Sequence, residues 1–173
     1  IVIMKKVLWL LILPLLGLFL TGCTKENTEV IDENSISNLP ITSFLDEVNN
    51  KNNARNLALI PELSTKDDSY VASLTASLKL TIVPSNYTGN PANDKIAKLE
   101  ISYDSKAQAP SSSLTLAKDY LTSLLEVILV NYSDDALYKI LNNLVIGGDD
   151  YLVDDILIRM TAEDNLHKLQ ILK

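Results

Sequence analysis

The chain has 173 residues, 47% of them apolar, with 22 acidic and 15 basic side chains and a net charge of −7. That length suits one domain with a real core, and five glycines, six prolines and a single cysteine exclude collagen and disulfide scaffolds. From residue 23 onward 13 basic side chains stand against 22 acidic ones, so the body carries −9 and repels phosphate, and nucleic acid is not an expected partner.

The first element is a leader. Met4 precedes Lys5 and Lys6, an apolar run follows from Val7 to Phe19, and Leu20-Thr21-Gly22-Cys23 closes it. A short cationic start and an apolar stretch of about a dozen residues make a secretory signal peptide over 1–22. The run is interrupted by Pro14 and is short for a spanning helix. The Leu20–Cys23 ending resembles the lipobox of bacterial lipoproteins. That resemblance implies a diacylglyceryl group on the Cys23 thiol, cleavage just before it, and anchorage in the cell membrane or outer membrane, outside the cytoplasm. Two acyl chains suffice for stable attachment where one is marginal. The expected membrane partner is thus held through Cys23, which uses the only thiol in the chain.

Residues 23–38 read as the lipidated cysteine and a flexible acidic tether, polar and without helical or strand period. A helix is expected from Asn38 and Pro40, because Ile41, Phe44, Leu45 and Val48 share one helical face; the asparagine-rich run 49–53 should end it. Residues 57–60 are a weak strand or a turn of helix. Tyr70, Ala72, Leu74, Ala76, Leu78, Leu80 and Ile82 alternate with polar residues, which predicts one long strand with one buried face. After the loop 84–94, Ala97, Leu99, Ile101 and Tyr103 alternate in a second strand, so the two form a hairpin.

Two helices follow. Ala117, Tyr120, Leu121, Leu124, Leu125 and Ile128 mark the first, whose apolar end at Val127–Val130 should be covered on more than one side. Ser133 is a good N-cap for the second, with Asp134 and Asp135 in its first turn and Leu137, Ile140, Leu141, Leu144 and Val145 on its apolar face. A connection of two or three residues would leave the helices antiparallel, and Gly147-Gly148 supplies the stop. The tail is a further hairpin turning at Ala162–Asn165, with strand or helix both open for 151–160. The expected architecture over 39–173 is a single α+β domain: an antiparallel sheet of about four strands, in two hairpins, with a helical hairpin packed on one face.

Chemistry-bearing residues are sparse. His167, the only histidine, lies in the last strand with no serine or acid motif to orient it, so it reads as a strand-face side chain. Acid pairs recur at 67–68, 134–135, 149–150 and 154–155. Asp149, Asp150 and Asp154 near Gly147-Gly148 form a weak calcium candidate, but their spacing is not that of an EF-hand, and a solvated cap-and-turn region is the favoured reading. Of seven tyrosines, Tyr87, Tyr132 and Tyr151 fall where a side chain could meet a protein or an envelope glycan. Asn86-Tyr87-Thr88 and Asn131-Tyr132-Ser133 match glycosylation acceptors and read as turn chemistry. No catalytic residue, cofactor or metal is assigned. The expected function is a membrane-tethered binding or interaction module, with an envelope-acting hydrolase or a structural spacer as the alternatives.

Overall fold

In the computed structural model the described residues are 33–106, 110–144 and 150–173; the leader, Cys23 and most of the tether lie outside them, as do Val145, Gly147, Gly148 and Asp149. Among the described residues the fold is α+β. Three helices, α1 (Ile41–Ala54), α2 (Pro110–Ile128) and α3 (Asp134–Asn143), accompany seven strands: β1 (Ser64–Lys66), β2 (Ser69–Ser73), β3 (Leu78–Pro84), β4 (Ile96–Asp104), β5 (Tyr151–Val153), β6 (Ile156–Glu163) and β7 (Leu166–Leu172). All seven strands join one antiparallel sheet in the order β1-β2-β3-β4-β7-β6-β5. The expected four strands are therefore too few. None of the described helices is long and apolar enough to cross a membrane.

The missing strands have two causes. Residues 70–82 are not one strand but two, β2 and β3, turning through 74–77, where the Leu74 and Thr75 amides both donate to the Leu78 carbonyl (2.9 and 3.1 Å). The register pairs Tyr70 with Ile82 and Ala72 with Leu80, even positions with even. The apolar alternation therefore continues in phase through the turn and imitates a single long strand. The other two missed strands, β1 and β5, are only three residues each, too short to show a period. They are folded back by two-residue turns at Asp67-Asp68 and Asp154-Asp155, whose φ angles of 49°, 55°, 46° and 65° are those a type I′ turn requires. The segment 151–160 is thus β5 and the start of β6 about that turn, not helix, and Asp164 (φ 52°) turns β6 into β7.

One face of the sheet makes the core. Ala72, Leu80, Ile101, Leu169 and Met160 form one cross-strand row, and Tyr70, Ile82, Leu99, Ile171 and Ile158 form the next. Each of these residues is at most 4% exposed, while their alternates on the other face stay half-buried or open. A fully buried Leu or Ile contributes about 2 kcal/mol. Helix α2 packs on β4, with α1 and α3 both beside α2.

Helix α1 differs from expectation at both ends. It starts at Ile41, where the Ile41 and Thr42 amides donate to the Asp94 and Pro91 carbonyls (2.9 and 3.2 Å) in the β3–β4 loop. It runs through the asparagines to Ala54, because Asn52 continues the buried stripe beyond Val48 and Arg55 reaches across to Glu126 of α2. Arg55 grips Glu126 with both terminal guanidinium nitrogens and also meets Asp134 of α3 (3.0 Å), tying the three helices. Residues 57–60 are neither strand nor helix; the Asn49 side chain accepts from the Ile60 amide (2.8 Å) and the Tyr120 hydroxyl donates to the Ala58 carbonyl (3.0 Å). Between α2 and α3 the connection is the five residues 129–133, longer than expected. Ser133 caps α3 as expected, accepting from the Ala136 amide.

Candidate functional site

Where the chain enters the domain, three segments converge on a cleft of about 510 Å³. The first is 35–39. The Ile36 amide donates to the Ile96 carbonyl (2.7 Å), Ser37 bridges to Ile96, and the Ser35 hydroxyl donates to the Ser37 carbonyl (2.8 Å). These bonds pin the end of the expected tether to β4, with Ile36 buried. The second is the α2–α3 connection, held by Leu129 N–H to the Leu125 carbonyl (2.6 Å) and Tyr132 N–H to the Leu129 carbonyl (3.0 Å). That tight bend buries Leu129 and pushes Val130 outward, 75% exposed. The apolar end of α2 is thus not covered all round: Val127 to Val130 line the cleft. The third segment is the Asp154-Asp155 turn with Ile156, and Lys173 closes the rim.

The cleft has an apolar floor and a polar margin. Ile36, Leu129 and Ile156 are 5–6% exposed beneath it, and Ser37, Asn38, Asn131, Tyr132 and the two aspartates stand around it. Tyr132 and Asp154 share this margin; burial, together with the negative charge of Asp154, pushes the Tyr132 phenol above its ordinary range. Such a cleft can hold an apolar group and accept hydrogen bonds from a donor beside it.

The three tyrosines singled out from the sequence part company. Tyr132 lines the cleft. Tyr151, 37% exposed, stands on β5, in the hairpin whose turn forms a cleft wall. Tyr87 packs instead against Tyr70 (ring centroids 5.5 Å apart) in the β3–β4 loop, partly buried on the core. That loop is locked by Asp94, 1% exposed, which accepts from the Tyr70 hydroxyl (2.5 Å), the Thr88 hydroxyl (2.5 Å) and the Thr88 amide (3.1 Å). Burial pushes the Asp94 carboxyl up, but these hydrogen bonds outweigh it and hold it below the usual range.

Asp150 and Asp154 sit at opposite ends of β5, the first gripped by Arg159 and the second at the cleft that Tyr132 also lines. Asp149 lies outside the described residues, and among those described no group of three or more His, Cys, Asp or Glu side chains is placed to hold a metal ion. His167 lies on the inner face of β7, stacked on Tyr103 of β4 (centroids 5.0 Å, planes 12° apart), and its buried Nδ1 meets no hydrogen-bond partner among the described residues.

Sequence reasoning missed Ile36, Leu39, Val130 and Lys173 as cleft residues. Ile36 is a lone apolar residue in a polar stretch, and Val130 belongs to a run that looked like core; only the bend after Ile128 separates it from Leu129. No known protein family, curated protein or solved structure matches the chain.

Proposed function

We propose that the chain is a lipid-anchored, extracytoplasmic binding module whose contact surface is the cleft between 35–39, the α2–α3 connection and the β5–β6 turn. The observation that carries this reading is Val130, 75% exposed at the margin of a 510 Å³ cleft that Tyr132 also lines. An exposed apolar side chain held by a tight bend over a preformed apolar floor favours contact with a partner. The anchor reading rests on the Leu20–Cys23 lipobox behind Lys5, Lys6 and the apolar run. Cys23 lies twelve residues before Ser35, so a lipid on it leaves the cleft at most about 43 Å from the bilayer, a span set by the extended chain.

The test has two arms. Cells expressing wild-type or Cys23→Ser protein are fed a labelled fatty acid, and label on the wild type alone is expected. The full chain and Val130→Asp are then compared in capture of envelope glycan fragments and envelope proteins. Loss of a captured species with Val130→Asp, at unchanged thermal stability, supports the cleft; equal capture by both proteins removes it.

A further inference from the structure

The β5 edge of the sheet carries more than the cleft wall. Its turn fixes which backbone groups face away from β6. Across the two-residue turn Asp154-Asp155, Val153 and Ile156 are the hydrogen-bonded pair, so Leu152 and Leu157 are the non-bonded pair. The N–H and C=O of Leu152 therefore point away from β6, toward the side where no described strand pairs. The side chains there are apolar and open: Leu152 is 69% exposed and Tyr151 37%. Soluble proteins ordinarily blunt a sheet edge with short strands, charge or proline. The opposite edge obeys that rule, since β1 is Ser64, Thr65 and Lys66. The β5 edge is short but has no charge within it.

Charge decides the occupant. Asp150 stands just before β5, and Asp154 and Asp155 just after it. A second copy pairing antiparallel about Leu152 would set Asp150 opposite Asp154 of its partner, and like charges directly opposite destabilise a strand pair. Asp150 is already paired with Arg159, so a basic residue beyond an apolar centre would meet Asp154 and Asp155 favourably. We propose that β5 is a docking edge for an extended, cationic peptide segment, which adds a strand at Leu152 and places a lysine or arginine against Asp154 and Asp155 where they border the cleft. This rests on reading the chain as a binding module, while the lipid anchor plays no part in it.

The probe is a fluorescein-labelled peptide alternating valine and threonine between lysine pairs, titrated into the full chain in detergent micelles by anisotropy. A matching peptide with glutamates in place of the lysines is the control. The lysine peptide should bind, more weakly as salt rises, and should slow hydrogen exchange at the Leu152 amide; the glutamate peptide should do neither. Asp154→Asn with Asp155→Asn keeps residues that tolerate left-handed backbone and should lower affinity about tenfold. Leu152→Pro, which removes the outward-facing donor that no described strand pairs, at an edge that tolerates proline, should abolish binding; if it fails to fold, the double asparagine variant carries the test. Equal binding of both peptides, or no change at the Leu152 amide, overturns the proposal. So does a dimer that Leu152→Pro returns to monomer, which would make a second copy the occupant. A ligand whose capture needs Val130 but neither Leu152 nor the aspartates would leave the cleft standing without the strand.

Discussion

At one edge of the sheet β1 and β2 meet through Asp67-Asp68; at the other, β5 and β6 meet through Asp154-Asp155. The two hairpins share strand length at the rim, turn length and left-handed turn residues. They differ in their surroundings. The outermost strand of the first hairpin is polar and wholly exposed, whereas the second ends against the α2–α3 connection and carries Tyr151 and Leu152. Identical turn chemistry therefore assigns no role by itself. The acid pairs are structural at both edges, and function, where proposed, comes from what packs beside one of them.

Both edges belong to one sheet, whose first four strands join the last three where β4 meets β7. Leu169 sits in that seam, fully buried opposite Ile101 and Met160. Leu169→Ala should cost about 3 kcal/mol through lost burial and a residual cavity. Urea unfolding followed by hydrogen exchange should show both edges lost in one transition. Separate transitions would mean that the two edges belong to independent units and would break the comparison.

Each edge hairpin is also tied by one carboxylate. Asp94 holds Tyr70 of β2 and is buried; Asp150 holds Arg159 of β6 in the open. Both carboxyls titrate below their ordinary range, Asp94 through Thr88 and Tyr70 against the opposing effect of burial, and Asp150 through Arg159. A carboxyl depressed in the folded state contributes stability that is complete above its unfolded pKa of about 3.9 and is lost as pH falls through its lower folded value. Asp94→Asn should cost about 2 kcal/mol at neutral pH, the scale of buried hydrogen bonds to a charged group. It should also flatten the decline in stability below about pH 4. Asp150→Asn should leave that decline almost unchanged, because exposed ion pairs are screened. Acid unfolding curves of the two variants decide it, and a larger effect at Asp150 would reverse the ranking of the edges.

The turns come next in size. Alanine at 67–68 or at 154–155 should cost about 1 kcal/mol at either site, since alanine tolerates left-handed backbone less well than aspartate. Equal urea shifts with ligand capture altered only by the second pair would sharpen the contrast; unequal shifts would show that Asp154 and Asp155, at the cleft, do more for folding than a turn requires.

Much of the core was legible in the sequence because burial writes a period. Tyr70, Leu80, Leu99, Ile101 and the α2 stripe all sit where alternation or helical spacing put them. Strand number was not legible, because the β2–β3 register keeps the alternation in phase across its turn and because three residues hold no period. The end of α1 was misread since an asparagine run signals a stop, while Asn52 is held inside by its place on the buried stripe, with neither side-chain polar atom paired among the described residues. Of the cleft, Tyr132 was legible from its position between helices. Val130 was not, since a hydropathy pattern cannot place the bend that exposes it, and Ile36 was not, since its partner Ile96 lies sixty residues away.

The smallest expected effect on stability is the most informative about the edges. Leu152→Lys gives β5 the chemistry that β1 already has at Lys66, a charged residue in a three-residue rim strand. Leu152 is 69% exposed and pairs with Leu157 on the open face, so the change should alter the stability read from urea unfolding by no more than about 0.5 kcal/mol. The reciprocal change, Thr65→Leu, gives β1 an apolar side chain and should be equally mild, because β1 is exposed throughout. Their surfaces should diverge. With Lys at 152 the chain should lose peptide capture, since a cation now stands where the basic peptide must lie. With Leu at 65 it should gain no specific capture, because Asp67 and Asp68 flank only one end of β1 and no cleft residue lies beside it. Anisotropy titrations on the two variants at matched stability separate edge chemistry from edge position. If Thr65→Leu binds the lysine peptide as tightly as the wild type, an apolar rim next to an Asp-Asp turn is sufficient for capture, and the cleft is not what distinguishes the two edges.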